Sequence, residues 1–255
     1  MTTRPLEGRT ILVTRAGPRA AGLVRAVADA GATVLELPLT EQVDPSDGGA
    51  ALRAAAAGMA DYAWVVLTSV NAVERLLAAL GDARDALGSV RVAAVGPSTA
   101  DAVRAAGVEP ELVPAVHSAA GLVEAFPAAE RAHGRVLFPT ADLAPPTVAD
   151  GLVAKGWAVE RVEAYRTVAL PPPEPASAAA LAAADAVVFL AASSVRAFGA
   201  ASLTPPPVVV CIGASTAAAA RDAGMSGVQQ SAAASPGGIV AALVEGLGFG
   251  PGGGS

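Results

Sequence analysis

The sequence predicts an α/β protein of two lobes with mainly parallel sheets, and three observations carry that expectation. Short apolar runs alternate with helical stretches of about ten residues or more, the pattern of strands joined by crossover helices. One segment occurs twice: VAAVGPSTADAVRAAG at Val92–Gly107 returns as VVCIGASTAAAARDAG at Val209–Gly224. Within and just beyond it, Gly96 and Gly213, Thr99 and Thr216, Gly107 and Gly224, and Gly121 and Gly238 all stand 117 positions apart, which marks an internal duplication.

Each copy reads as a buried strand delivering the chain into a helix N-terminus. VAAV and VVCI are the strands. The glycine that follows lets the backbone turn closely, and Gly107 and Gly224 close the helices. Ser98 with Asp101 is expected to form a capping box; Ser215 has Ala218 in that place and lacks the return bond. A helix start offers free N–H groups and partial positive charge, a natural seat for an anion. Such a turn also occurs in α/β proteins without any ligand.

The other elements follow in order. Arg9–Val13 is a strand, Thr14–Pro18 a loop, Arg19–Ala30 a helix stopped by Gly31, and Thr33–Leu37 a second strand. Gly134–Val168 echoes this βαβ unit, with Thr140 answering Thr14 and Gly156 answering Gly31. Pro45–Met59 holds a polar loop and an alanine-rich helix. Trp64–Leu67 is a strand followed by Thr68, Ser69, Val70 and Asn71, then a helix to Leu80. Its echo is the strand Val187–Leu190, the residues Ala191 to Ser194, and a helix over Val195–Phe198. Serine and asparagine at such places cap helices, or hydrogen-bond a ligand carboxylate; both readings stay open. Leu170–Ser177 is a proline-rich linker, Thr204–Pro207 a shorter loop, and the tail from Gly246 is expected to be disordered.

Composition narrows the function. Of the 255 residues, 53% are hydrophobic and 16% charged, enough apolar material for two cores. The net charge of −6, with no cluster of Lys or Arg, argues against a nucleic-acid partner. One cysteine, Cys211, excludes an intramolecular disulfide and reads as a buried thiol; His117 and His133 lack ligand spacing, so no metal is expected. No signal-peptide pattern and no membrane span are evident, and a cytoplasmic monomer is expected. There is no GxGxxG turn, no GxxxxGK[ST] loop and no triad context for either histidine. The loops leaving strand C-termini instead carry hydroxyls, glycines and Arg15, an inventory for holding a polyanion.

These segments resemble the uroporphyrinogen-III synthase family over nearly the whole chain. The motifs that carry the resemblance are VLTSVNAV at Val66–Val73, AVGPSTADAVRAAG at Ala94–Gly107 and GLVAKGWAVERVEAYRTV ending at Val168, then VVFLAASSVRAF at Val187–Phe198 and CIGASTAAAARDAGM at Cys211–Met225. The resemblance implies two Rossmann-like, doubly wound lobes joined by two extended connectors near Pro38–Thr40 and Tyr165–Thr167, with the active-site cleft between them. It implies a discontinuous lobe of residues 1–38 plus 169–255 and an inserted lobe of residues 41–166. The reaction implied is cyclisation of hydroxymethylbilane, a linear tetrapyrrole, with loss of water and inversion of the terminal pyrrole ring, through an azafulvene cation and a spiro intermediate. No cofactor or metal is implied, and no nucleic-acid or membrane partner. A transient contact with the enzyme that produces hydroxymethylbilane is expected.

The resemblance also suggests roles. Tyr165, in EAYRT, matches the family's tyrosine near the cleft and is expected to help the hydroxyl group leave; its other reading is a connector tyrosine packed for shape. Thr14, Arg15, Thr68, Ser69, Asn71, Gly96, Ser98, Thr99, Thr140, Ser193, Gly213, Ser215 and Thr216 are expected to bind the substrate's carboxylates. Two departures stand out: Leu190-Ala191 replaces a usual Thr-Ser pair, and the loop after the fourth strand has Thr140 where an arginine or other polar residue is often found. The alternative is a non-catalytic tetrapyrrole- or polyanion-binding module of the same fold with a regulatory role.

Overall fold

A computed structural model describes residues 4–129, 134–171 and 181–248. The chain begins with β1 (Thr10–Val13), α1 (Pro18–Asp29), β2 (Thr33–Glu36) and β3 (Thr40–Val43). Next come α2 (Ala50–Ala57), β4 (Trp64–Leu67), α3 (Val70–Leu80), β5 (Arg91–Ala94), α4 (Pro97–Ala105) and α5 (Ala119–Ala125). Then follow β6 (Arg135–Ala141), α6 (Thr147–Ala154), β7 (Ala158–Ala169), β8 (Ala186–Phe189) and α7 (Ala192–Ala200). The last are β9 (Val208–Cys211), α8 (Ala214–Asp222), β10 (Val228–Gln230) and α9 (Pro236–Gly246). The chain divides into two compact units, Met1–Glu41 with Val168–Ser255, and Gln42–Thr167.

The first unit holds a five-stranded sheet in the order β10-β9-β8-β1-β2 with every pairing parallel. Its central strands are apolar on both faces because both are covered by helices. Leu12, Val187, Phe189, Val209 and Cys211 face one core with Val195, Phe198 and Ala217 of α7 and α8. Ile11, Val13, Val188 and Val210 face the other, with Leu23 and Val27 of α1 and Ile239 and Leu243 of α9. Cys211 is buried as expected, and burial pushes its thiol up to about 11.

The second unit holds the order β3-β7-β6-β4-β5, in which β7, β6, β4 and β5 are parallel. One face packs Val65, Leu67, Leu137 and Val162 against α2 and α3 through Leu52, Val73 and Leu76. The other packs Trp64, Val66, Val136 and Phe138 against Leu122 and Phe126 of the α5 region and Val148 and Leu152 of α6. Trp64, Phe126 and Trp157 form an aromatic chain there, with centroids 4.8 and 5.8 Å apart.

The duplication is structural. Gly96 and Gly213 are the extended residues ahead of α4 and α8, with φ of −173° and −167°. Gly107 and Gly224 have φ of +83° and +76°, the left-handed conformation that ends those helices. Ser118 and Ser235, also 117 apart, cap α5 and α9 by accepting from Gly121 and Gly238 N–H.

The stretches expected as extended connectors are extended: Thr40 opens β3, and Tyr165–Thr167 lies inside β7. Other expectations are corrected. Thr140 is an interior residue of β6, not a loop residue, because the apolar run RVLFPTA pairs along its whole length. The helix α9 runs through Gly246, so order extends into the stretch read as tail; residues 249–255 lie outside the described residues. Of the linker Leu170–Ser177, only Leu170 and Pro171 are described, and Leu170 N–H donates to Leu39 O at 2.9 Å. His133 also lies outside the described residues.

Candidate functional site

A ligand of parallel α/β sheets sits beyond the carboxyl ends of the strands. In the second unit that edge carries the turns after β4 and β5 and the carboxyl-terminal half of β7. Ser69 is the N-cap of α3; its Oγ accepts from Ala72 N–H at 3.1 Å and lies 3.2 Å from Tyr165 Oη. Thr68 and Asn71 flank it, both half-buried. Tyr165 is 7% exposed.

A β-bulge makes the Ser69–Tyr165 contact. Along β7, Glu163 pairs with Thr140 and Tyr165 with Ala141, so Ala164 is an extra residue in the ladder. Without it, strict alternation would send Tyr165 to the face that Val159 occupies, against α5 and α6. With it, Tyr165 joins Val162 and Ala164 on the face of α3. Asp142, which the sequence reading missed, holds the bulged segment: its N–H donates to Tyr165 O at 3.1 Å and its carboxylate accepts from Thr167 N–H at 3.3 Å. The one available signal was an aspartate placed directly after an apolar run.

The serines of the repeat sit differently from expectation. Gly96, not Ser98, precedes α4, and the helix has no side-chain cap. Ser98 is therefore inside the first turn and exposed, and Asp101 pairs with Arg104 at 3.0 Å, so there is no capping box. Gly213 and Ser215 repeat the arrangement at α8, and Ser215 is exposed. Thr99 and Thr216 are 5% and 3% exposed, each in the same buried place of its helix. The Cβ of His117 packs on Gly96, where an added Cβ would come within 3.2 Å.

In the first unit, Ala191 occupies the N-cap of α7 without a side-chain bond, and the helix starts at Ala192, so Ser193 lies within its first turn. Ser193 is half-buried and Ser194 4% exposed. Thr14 departs most from its expected role: its Oγ1 donates to Val188 O at 2.8 Å, joining β1 to β8. That hydroxyl hydrogen closes the sheet edge and is not offered outward. Arg15 is half-buried in the loop after β1. Thr140 is 2% exposed inside β6.

The edges thus hold two kinds of helix start. Those of α3, α5 and α9 are closed by serine caps, whereas those of α1, α4, α7 and α8 have no side-chain cap. Uncapped first-turn N–H groups with aligned dipoles are suited to carboxylates, at about 0.3–1 kcal/mol each when exposed. Among the described residues no group of three or more His, Cys, Asp or Glu is placed to hold a metal, and no helix is long and apolar enough to cross a membrane.

Comparison with known proteins adds a family. Residues 21–241 match the family model described as Uroporphyrinogen-III synthase HemD. A uroporphyrinogen-III synthase of Synechococcus elongatus is 36% identical over 102 residues, 39% of this chain and 38% of that protein. The matched stretch thus spans well under half the length of that relative. A mutant uroporphyrinogen III synthase of the extremely thermophilic bacterium Thermus thermophilus superposes with a TM-score of 0.67 at 19% identity, covering 95% of this chain and 100% of that one. The uroporphyrinogen-III synthetase of Helicobacter pylori gives 0.58 at 17% identity, over 93% and 99%. Both likenesses speak to fold.

Proposed function

The chain belongs to the uroporphyrinogen-III synthase family, and on that premise we propose that it cyclises hydroxymethylbilane with loss of water and inversion of the terminal ring. The observation that supports this reading is the Tyr165–Ser69 contact at the carboxyl edge of a sheet, beside the uncapped start of α4. Tyr165 Oη–H donates its proton to the departing hydroxyl. The C–O bond breaks, its electron pair leaves with water, and an azafulvene cation remains for the terminal ring to attack. The proton lost as the macrocycle forms returns to the phenolate. Proton transfer of this kind contributes about 10²–10⁴ in rate.

In the second unit the first turn of α4, with Thr68, Asn71 and Ser98 as side-chain donors, and in the first unit those of α1, α7 and α8, with Arg15, Ser193 and Ser215, are each a seat for a carboxylate. Gly213, with no atom within 4 Å of an added Cβ, lets a carboxylate approach the backbone, whereas the same place at Gly96 is filled by His117. Thr14, Thr99 and Thr216 shape these turns from beneath. The chemistry rests on orientation: a flexible chain is held until its ends meet. A cytoplasmic monomer that receives its substrate through transient contact with the enzyme producing it completes the proposal.

The test supplies hydroxymethylbilane and resolves the product isomers. Closure without direction gives the type I ring; the proposal expects type III. A protein that binds hydroxymethylbilane yet leaves the product as type I is the non-catalytic module. Tyr165→Phe is expected to slow type III formation about 10²-fold with folding retained.

A further inference from the structure

We propose that Ser69 is a positioning residue for Tyr165, and that it donates its own hydroxyl hydrogen to Tyr165 Oη so that the phenol hydrogen is directed to the substrate. This rests on the reading of Tyr165 as proton donor given above. Ser69 was expected to bind a carboxylate, but its Oγ has two partners within the protein, Ala72 N–H at 3.1 Å and Tyr165 Oη at 3.2 Å. A serine hydroxyl has one hydrogen and two lone pairs. The amide of Ala72 takes one lone pair; the hydrogen and the second lone pair remain, so Ser69 is able to donate to the phenol. With the hydrogen given to Oη, a phenol lone pair is occupied and its own O–H is turned away from Ser69. With the opposite direction, the phenol proton is spent on Ser69 and withheld from the leaving group.

The helix start alone does not account for a serine here. At the matching place in the other unit, α7 begins after Ala191 with no side-chain cap and still runs Ala192–Ala200. The fold therefore tolerates alanine at this cap. The bulge at Ala164 is the second half of the device, since it brings the phenol to the α3 face where Ser69 stands.

The experiment measures type III formation at saturating hydroxymethylbilane for Ser69→Ala, Ser69→Asp and Ser69→Thr, each with Tyr165 present and with Tyr165→Phe. Aspartate caps a helix as well as serine does, but its carboxylate accepts a hydrogen bond and so draws the phenol hydrogen inward. Ser69→Ala is expected to lower kcat about tenfold and leave KM within about twofold, and Ser69→Asp to lower kcat by about a hundredfold with Tm held. Ser69→Thr, which keeps cap and donor, should return kcat to within about threefold of the parent. With phenylalanine at 165 the Ser69 variants should share one kcat, because the coupling has no second partner. A Ser69→Asp protein with the parent's kcat, an effect confined to KM, or an undiminished Ser69→Ala effect beside Phe at 165 would each overturn the proposal. A parent protein that yields only the type I ring overturns the synthase reading instead. A Tyr165→Phe protein with the parent's rate overturns the donor role of Tyr165 and the role of Ser69 with it.

Discussion

The carbonyl of Val116 lies where a side chain on Gly121 would begin: an added Cβ would sit 2.1 Å from Val116 O. The second copy repeats the contact, with Gly238 so close that a Cβ would meet Ala233 O at 2.5 Å and Ser231 Oγ at 2.8 Å. In both, the loop ahead of the helix folds back over its first turn while a serine caps it. Gly121→Ala and Gly238→Ala should each cost about 1–3 kcal/mol, read from urea unfolding, because the obstructing atoms belong mainly to backbone. Gly22→Ala is the control: it lies in α1 with no atom within 4 Å of an added Cβ. It should stabilise by about 0.5–1 kcal/mol. Equal effects at the three positions would refute the contact argument.

Asp185 ties the start of β1 to the segment before β8. Its carboxylate accepts from Arg9 Nη1 at 2.7 Å and from Thr10 N–H at 2.8 Å. Burial pushes its pKa up, but the Thr10 amide and the Arg9 guanidinium outweigh burial, and the net value lies below the ordinary carboxylate value. The unfolded chain then binds the proton more readily than the folded one. The stability from this site is present above the unfolded pKa and is lost as pH falls through the folded one. Asp185→Asn should lower stability at neutral pH by about 1 kcal/mol, with the difference from the parent shrinking below about pH 4. Parallel stability–pH curves for parent and variant would contradict this.

Tyr62 moves the other way. It is 6% exposed, donates to Glu160 Oε2 at 2.8 Å, and has Arg135 stacked 4.6 Å from its ring centroid. Burial first, and then the bond to Glu160, push its pKa up to about 12. The chain has 2 tyrosines, so a Tyr165→Phe protein reports Tyr62 alone by tyrosinate absorbance. The folded protein should titrate near 12 and the denatured one near about 10. Because the folded pKa is the higher, stability is lost as pH rises between those values, and Tyr62→Phe should flatten that slope.

Ser98 and Ser215 occupy matching exposed places in the first turns of α4 and α8. Neither caps its helix. Replacing either by alanine should change stability by less than about 0.5 kcal/mol while raising KM for hydroxymethylbilane several-fold with kcat held. A drop in kcat with KM unchanged would mean that these serines act on the transition state alone, against a role in binding.

Much of this architecture was legible beforehand. The strand at Trp64–Leu67 and the helix to Leu80 fall where the apolar run and its punctuation place them. The register between Gly96 and Gly213 survives in three dimensions down to their φ values, because both serve as the same turn. Ends were less legible. Helix α7 begins at Ala192 rather than Val195, since Ala191 adopts an extended conformation without any side chain to announce it.

The sequence by itself determined the alternation of strand and helix, the doubled segment and the residues available at the strand ends, because these depend on neighbours a few positions away. Tertiary structure alone decided which βαβ unit joins which half. β1 and β2 add to β8, β9 and β10, whereas β6 and β7 add to β4 and β5. It also decided that Thr14 spends its hydroxyl on Val188 and that Tyr165 meets Ser69. Those outcomes arise from ladder register between distant segments, and one unpaired residue, Ala164, changes the face a side chain reaches without leaving a local mark in the chain.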